Sequence, residues 1–365
     1  MTESQKSLSP FQTGIRNFRK NRLGVFCLVI LVLLYAGAIF ADFLAPYSYD
    51  NEDRNSSYSP PTKIHFFNEK GQLVRPYVCG STFTFDQYHK RIYQEDFSQK
   101  YPIVFGSKGD KYKFLGIFPS RRHLWGVKAP GRIYLLGADS RGRDLFSRLL
   151  FGARISLSIG LIGVSISFTI GLFVGGIAGY YGGKIDNVIM RLCEMFMMIP
   201  GFYLMLALRS AVPDNFNSFQ VYLSIVVILS FIRWAGLARI IRGLSISLRE
   251  REYVLAAKTL GVPDYKIIFK HILPHTLSYS IVAIMLSIPG YILCEAALSL
   301  IGLGIQDPIP SWGNLLSEAM GIVHIQFAPW ILWPGIFIFV TVMCFNVIGD
   351  TLRDLFDPLY KANEA

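Results

Sequence analysis

The sequence predicts an all-α membrane protein with six transmembrane helices, both termini in the cytoplasm, and a β-rich extracytoplasmic domain between the first two helices. Of its 365 residues 52% are hydrophobic, whereas only 17% are charged. Several apolar runs reach the length of about 20 residues that an α-helix needs to cross a bilayer. This composition, together with these runs, is typical of a membrane protein and not of a soluble domain.

Six apolar runs have the length and composition expected of transmembrane helices. They are Leu23–Leu44, Ser156–Tyr180, Ile189–Val212, Val221–Ile241, Leu277–Leu303 and Pro329–Ile348. The third run is the weakest candidate, because charged residues flank a charge-free stretch of only Met195–Leu208. The side chains at its ends must therefore snorkel towards the interface if this run crosses the bilayer.

The first apolar run also resembles a signal peptide, with a basic start and the small-residue triplet Ala36-Gly37-Ala38. The run continues to Leu44, however, whereas the apolar region of a signal peptide is typically about 7 to 15 residues long. We therefore interpret residues 23–44 as an uncleaved first transmembrane helix.

The distribution of basic residues predicts the orientation, because Lys and Arg accumulate in short cytoplasmic loops. The first 22 residues carry five basic residues against one acidic residue, and residues 239–275 carry seven against three. Segments 211–220 and 304–328 contain no Lys or Arg. Residues 1–22 and 349–365 are therefore predicted to be cytoplasmic tails. The net charge of +11 fits this bias, and no basic run interleaved with aromatic residues indicates a nucleic-acid partner.

Residues 45–136 predict the extracytoplasmic domain. Fragments from TKIHFF, Thr62–Phe67, to RIYLLG, Arg132–Gly137, are rich in β-branched and aromatic residues and are separated by turn formers, as in short strands. Cys79 is the only cysteine there, and no CxxC or Cys/His spacing predicts a metal site anywhere in the chain. Both a structural cap and a contact with a delivery protein stay open as roles.

The second apolar run repeats small residues at four-residue spacing, as at Gly171, Gly175 and Gly179. Small residues at this spacing let two helix backbones approach closely within a membrane. We interpret these glycines as a helix-packing surface.

A charged stretch, Arg251–Leu277, interrupts the apolar runs with REYVLAAKTLGVPDYKIIFKHILPHTL. Gly261 suits the left-handed end of one helix, and Asp264 suits the first turn of a second helix. The second helix is predicted to stop before Pro274 and to carry an apolar stripe at Ile267, Ile268 and Ile272. Such a helix pair could pack on its own bundle or in the groove of a soluble partner.

The spacing of Ala256-Ala257, Gly261 and Leu273-Pro274 resembles the Glu-Ala-Ala loop by which membrane subunits of ATP-binding-cassette importers engage their ATPases. Leu255 replaces the name-giving Glu, but the dipeptide and oligopeptide permease branch instead has an acidic-Tyr-Val stretch before the alanines and His before Leu-Pro. This chain agrees with that branch. The resemblance implies a coupling loop over residues 242–276 that includes Glu252, Tyr253, Ala256, Ala257, Gly261, Asp264, His271, Leu273 and Pro274.

Further segments resemble the C-type permease of the same branch. They are LGADSRGRDLFSRLLFGARISLSIG, GYYGGKID, ARIIRG, EAALSLIGLG and NVIGDTLRDLFDP, which cover most of Leu136–Pro358. Residues 137–348 are therefore predicted to be the permease core. The second Glu-Ala-Ala, Glu295–Ala297, lies inside an apolar run and lacks the spaced Gly, so we assign it no docking role.

The resemblance implies a division of labour among several chains. A homologous B-type permease would complete a heterodimer, two ATPase subunits would hydrolyse ATP, and an extracytoplasmic peptide-binding protein would deliver cargo. The sequence contains no GxxxxGK[ST] phosphate loop, so the chain is not predicted to be an enzyme or to hold a cofactor. ATP and Mg²⁺ are expected on the partner ATPases. The resemblance also implies a multi-pass protein of the bacterial inner membrane.

Arg233 and Glu295 are candidates for the translocation path, because ionisable residues within spans are expensive and usually functional. The few charges in the spans favour cargo with varied side chains, and the resemblance implies di- or oligopeptides. Related cargo such as nickel chelates or sugars is the runner-up. A secondary transporter or channel without an ATPase, and a membrane-anchored enzyme using the outer domain, are the alternatives from other classes.

Overall fold

The computed structural model describes residues 18–68, 71–87, 91–114, 117–213 and 215–356. Most of the predicted N-terminal tail and the end of the predicted C-terminal tail lie outside these residues. Twelve α-helices occur among the described residues: α1 (Arg22–Ile39), α2 (Ala41–Leu44), α3 (Leu145–Tyr181), α4 (Gly183–Met198), α5 (Gly201–Ser210), α6 (Ser218–Arg249), α7 (Glu252–Thr259), α8 (Asp264–Lys266), α9 (Leu273–Leu300), α10 (Trp312–Ser317), α11 (Ile322–Phe327) and α12 (Trp333–Phe356).

Five of the described helical stretches are long and apolar enough to cross a membrane. They belong to α1, α3, α6, α9 and the stretch Pro329–Leu355 that contains α12. Each overlaps an apolar run of the sequence, and α3 begins earlier than expected, at Leu145.

The third predicted span, Ile189–Val212, is not one straight helix. It falls on α4 and α5, which are bent by 83° where they meet, so the pair is a broken span or a re-entrant loop. Ile199 adopts an extended backbone, and Pro200 is the residue just before α5. Proline lacks the N–H that would continue the helix and disfavours helical geometry at the residue before it. The described chain therefore has five spans, or six if the bent pair counts as one.

The chain divides into two compact units, described separately below. The bundle unit comprises Met1–Val32, Ser158–Glu295 and Phe339–Ala365, and the strand unit comprises Leu33–Leu157 and Ala296–Ile338.

Glycines of α3 allow close packing in the bundle unit, as their four-residue spacing predicts. Gly171 lies against Leu237 of α6, and Gly175 lies so near the Ala238 carbonyl that an added Cβ would overlap it. Gly179 repeats this contact one turn further along the helix. The crossing of α3 and α6 therefore depends on the missing side chains.

Six strands occur among the described residues of the strand unit: β1 (His65–Phe67), β2 (Leu73–Phe85), β3 (Arg91–Phe105), β4 (Lys108–Phe114), β5 (Phe118–Arg122) and β6 (Trp125–Val127). One antiparallel sheet has the order β1-β2-β3-β6, and β4 and β5 form a separate hairpin. The fragment RIYLLG does not form a strand, and its Ile133 and Tyr134 are buried in a loop. A strand-like composition therefore reflects burial there and not sheet pairing.

Candidate functional site

Helix α7 ends in a tight left-handed turn at Gly261, where φ is +75°. The Gly261 N–H donates to the Lys258 carbonyl at 3.0 Å, and the Val262 N–H donates to the Ala257 carbonyl at 3.1 Å. These two bonds form a Schellman motif. Nothing lies within 4 Å of where a Cβ would stand on Gly261. The backbone conformation, and not lack of space, therefore favours glycine here.

The helix after the turn continues into the membrane-length helix α9, so the predicted end before Pro274 is wrong. A π-helical turn, Ile267–Ile272, joins α8 to α9. The Leu273 N–H donates to the carbonyl of Ile268, five residues back. This wider turn immediately precedes Pro274, whose missing N–H and bulky ring are poorly accommodated by a regular α-helical turn. The π turn therefore lets the helix pass through the proline.

The apolar stripe of the predicted coupling loop packs inside the protein. Ile267 and Ile272 are fully buried with Val254 and Ala257, and Ile268 packs with Ile241 and Leu273. The sequence left open whether the helix pair packs on its own bundle or in the groove of a soluble partner, and the stripe packs on its own bundle. Ala257 is only 7% exposed and belongs to this core.

A different set of residues around the Gly261 turn is exposed. Leu260 is 84% exposed, and Leu255, Ala256 and Tyr265 are exposed as well. We name these four residues the turn surface. Exposed apolar side chains grouped around one turn are typical of a contact surface for another protein. The sequence motif identified Ala256, whereas the high exposure of Leu260 is evident only from the structure of the turn.

The remaining residues of the predicted coupling loop differ in their contacts. The Tyr253 hydroxyl donates to the His271 carbonyl at 3.4 Å, and Asp264 accepts from the Tyr180 hydroxyl at 2.6 Å. Glu252 is exposed in the first turn of α7, where its charge complements the helix dipole. Pro274 is exposed.

The two candidate path residues have different environments in the bundle unit. Arg233 lines a cavity of about 540 Å³ together with Ser287 and Tyr291. Its guanidinium donates to the Gly290 carbonyl at 3.2 Å and lies 5.0 Å from the centre of the Tyr291 ring. Glu295 is fully buried and does not line this cavity. Arg233 therefore fits a path better than Glu295.

A second arginine, Arg239, lines the same cavity. Sequence reasoning placed Arg239 in the cytoplasmic loop because it lies near the end of its apolar run. The spacing of Arg233, Gly236 and Arg239, three residues apart, was the available signal that they share one helix face.

A buried ionic network in the strand unit was not predicted. Its members are Asp139, Arg143, Arg148, Asp307 and Glu318. Arg143 Nε lies 2.7 Å from Asp139 Oδ2, and Arg148 Nη2 lies 2.7 Å from Asp307 Oδ1. Both guanidinium side chains are only 2% exposed. The network joins residues 139–148 to residues 307–318.

The pKa values of two carboxylates of this network shift in opposite directions. Burial opposes the charge of Asp307, but Arg148 and Arg143 outweigh it and lower the pKa of Asp307. Burial, with a further contribution from Asp139, raises the pKa of Glu318. Glu318 also accepts hydrogen bonds at 3.2 Å from the Ser140 N–H and hydroxyl. The Asp307 carboxylate is thus held ionised between two arginines.

Asp144 caps the start of α3 from a fully buried position. Its Oδ2 accepts from the Ser147 N–H at 2.9 Å and from the Ser147 hydroxyl at 2.6 Å, whereas Oδ1 has no hydrogen-bond partner within the part of the chain that the structure describes. Burial raises the pKa of Asp144 to about 7, against the lowering effect of these hydrogen bonds.

Comparison with known proteins identifies the family of the chain. Residues 171–362, more than half of the chain, match the family described as binding-protein-dependent transport system inner membrane component. Residues 9–61 match the N-terminal TM domain of oligopeptide transport permease C. The first family is a permease component of transport systems and not a catalytic enzyme.

Three curated relatives illustrate the similarity. The oligopeptide permease protein OppC of Haemophilus influenzae is 43% identical over 62% of this chain and 70% of its own. The dipeptide permease protein DppC of Bacillus subtilis is 31% identical over 96% of this chain and 87% of its own. The glutathione permease protein GsiD of Pectobacterium atrosepticum is 39% identical over 64% of this chain and 76% of its own. The chain belongs to the family of binding-protein-dependent transport system inner membrane components.

Proposed function

We propose that this chain is the C-type permease subunit of an ATP-binding-cassette importer for di- or oligopeptides. The observation that carries the proposal is the turn surface: an exposed Leu260 follows a capped α7 in the segment whose spacing matches the coupling loop. The names of the relatives, which include oligopeptide and dipeptide permeases, support peptide cargo.

The proposal gives each partner a defined place. A homologous B-type permease forms the path together with this chain, and two ATPase subunits bind ATP and Mg²⁺ in the cytoplasm. The turn surface faces those ATPases, and an extracytoplasmic binding protein delivers the peptide. The sheet of the strand unit then lies outside the bacterial inner membrane, and both termini lie in the cytoplasm.

The cavity around Arg233 belongs to the translocation path in this proposal. Its other lining residues are mainly apolar, except for Ser287 and Arg239. A lining with few fixed polar groups tolerates different side chains, which suits peptides that share only their backbone. Selection among peptides then falls mainly to the binding protein.

Deletion of this chain tests the function. Uptake of labelled di- and oligopeptides should be lost, and the strain should resist toxic peptide analogues. The parental chain should restore uptake when supplied on a plasmid. In a strain with no second peptide importer, unimpaired peptide uptake would contradict the cargo. Loss of nickel-chelate, sugar or glutathione uptake instead would redirect the assignment within the family.

A protease site tests the orientation. Cys79 is buried, so a thiol reagent would label it poorly even from the correct side. A protease site inserted at Asn68, which directly follows β1, should be cleaved in intact spheroplasts. Cleavage only after the inner membrane is opened would show that the sheet faces the cytoplasm.

A further inference from the structure

Three potential metal ligands lie together on neighbouring strands of the strand unit. His65 of β1, Cys79 of β2 and Glu95 of β3 each place one ligand atom within 4.8 Å of the other two. His65 Nε2 lies 3.1 Å from Glu95 Oε2. The spacing of these residues along the chain predicts no metal site, so only the strand pairing shows the cluster.

Strand register explains how the three side chains meet. His65 pairs with Tyr77, two residues before Cys79 on β2. Glu95 pairs with Ser81, two residues after Cys79. Side chains two apart on a strand share a face, and diagonal neighbours across strands are within reach of one another. A bulge in β3 opposite Cys79 and Gly80 changes the local register and kinks the strand beside the cluster.

The surroundings orient the ligands and leave access from outside. The imidazole of His65 stacks on Tyr77 with ring centres 5.4 Å apart and contacts the edge of Phe97. Cys79 is only 5% exposed, whereas the side chains of His65 and Glu95 are 25% and 26% exposed. A groove of about 920 Å³ is lined by Cys79 and Glu95 among others. A cation can therefore reach the cluster from the groove.

The donor set selects one class of cation. One imidazole nitrogen, one thiolate sulfur and one carboxylate oxygen suit Zn²⁺ and similar borderline transition-metal ions, whereas Ca²⁺ and Mg²⁺ prefer oxygen ligands alone. At metal–ligand lengths of about 2.0 to 2.3 Å, tetrahedral ligand atoms stand roughly 3.5 Å apart. The separations at this cluster, from 3.1 Å up to the limit of 4.8 Å, require only small side-chain movements.

We propose that His65, Cys79 and Glu95 bind a divalent transition-metal ion of the zinc class, with a fourth position left open to water or an incoming donor. The ion would join the short strand β1, which pairs with β2 at His65 and Phe67, to the two long strands of the sheet. The site is independent of the transport assignment. It therefore stands or falls separately from that assignment.

Two groups compete with the metal in the unloaded protein. The Lys63 ammonium lies 3.9 Å from Glu95, but its side chain is 80% exposed and free to swing away into water. Burial and the nearby Glu95 carboxylate raise the pKa of the Cys79 thiol, so the bound ion must displace its proton.

Titration of the purified full-length chain with Co²⁺, in detergent, under reducing and metal-free conditions, tests the proposal. One equivalent should produce the thiolate-to-cobalt charge-transfer band in the near ultraviolet, and Zn²⁺ should remove the band by competition. Cys79→Ser should abolish the band. His65→Ala and Glu95→Gln should each weaken binding by about 10-fold or more, because even the loss of a group that only orients a metal ligand typically costs about 10- to 100-fold in affinity.

Two variants serve as controls. Cys294→Ser removes a thiol in the bundle unit and should leave the band intact. Lys63→Gln removes the competing cation and should leave binding unchanged or make it tighter. Absence of the band from the parental chain would overturn the proposal whatever the variants do. A band that persists in Cys79→Ser would place any bound metal elsewhere.

Discussion

The ionic network of the strand unit and the turn surface of the bundle unit both lie in segments that resemble the permease family, yet their environments are opposite. The arginines of the network are 2% exposed and paired with carboxylates. In the turn surface, Leu260 is 84% exposed and apolar. A buried charge and an exposed apolar group are each costly unless something compensates. The chain supplies that compensation for the network, whereas under the proposed function an ATPase subunit covers the turn surface.

The largest expected effect comes from breaking the network. Arg148→Ala removes one of the two arginines that pair with the buried Asp139 carboxylate, so the free energy of unfolding should fall by about 3 to 5 kcal/mol. Thermal unfolding in detergent and the amount of protein in the membrane measure this loss. Arg141→Ala is the matched control, because Arg141 is 55% exposed and should contribute less than about 1 kcal/mol. Equal effects of the two substitutions would contradict the network's role.

Two substitutions distinguish the role of a buried residue of the predicted coupling loop from that of an exposed one. Ala257→Asp places a carboxylate in the core formed with Val254 and Ile267, which should lower the free energy of unfolding by about 3 kcal/mol. Leu260→Asp should leave folding intact, because Leu260 is exposed, but it should reduce co-purification of the ATPase subunits and peptide uptake.

An exposed residue of the strand unit provides the control for that pair. Ile117 is 71% exposed, and Ile117→Asp should change neither stability nor co-purification. Full uptake and full ATPase recovery with Leu260→Asp would mean that the turn surface contacts no ATPase.

A smaller effect should appear as a pH dependence at Asp144. An acid whose folded-state pKa is raised to about 7 destabilises the fold when ionised. This penalty is complete above pH 7 and is relieved as the pH falls towards about 4, the ordinary pKa of Asp. Asp144→Asn keeps an oxygen for the Ser147 cap and removes the charge, so it should stabilise the protein by about 2 kcal/mol at pH 8.

Melting temperatures of the Asp144→Asn variant and the parental chain, measured from pH 5 to pH 8, test this expectation. The difference between them should grow with rising pH. A constant difference over that range would show that Asp144 does not titrate there.

The smallest expected effect concerns the turn at Gly261. Gly261→Ala forces a side chain into left-handed backbone geometry and should lower the free energy of unfolding by about 1 kcal/mol. Gly243 is the control, since it lies in α6 with open space around it, and Gly243→Ala should be neutral or slightly stabilising. Chemical denaturation in detergent compares the two. If the alanine variants behave alike, the left-handed turn is not a constraint on stability.

Apolar runs and local motifs predict much of this fold because their signals are local. The positions of α1, α3, α6, α9 and α12 follow from hydrophobicity alone. The break at Pro200 carried an equally local signal that the length of the apolar run obscured. Pro274 differs from Pro200, because the helix continues through it after a π turn, whereas a proline usually ends a helix.

Features that depend on distant pairing could not be predicted from local pattern. The network joins Arg148 to Asp307, which is 159 positions away. The cluster of His65, Cys79 and Glu95 depends on the register of three strands. The isoleucine stripe of the coupling loop was visible, but apolar periodicity cannot distinguish burial in the same chain from burial against a partner.

The helical passage through Pro274 has a mechanical consequence. From Asp264 the backbone is helical without interruption to Ser287, and 23 steps at about 1.5 Å each make a rod of roughly 35 Å. One end of this rod adjoins the Gly261 turn, and the other carries Ser287 on the Arg233 cavity. The next proline within the helix, Pro289, stands just beyond that end. Under the proposed function, a movement of the ATPases at the turn would be transmitted along this helix, and it would bend the helix beside the cavity because proline is a common site of helix kinks.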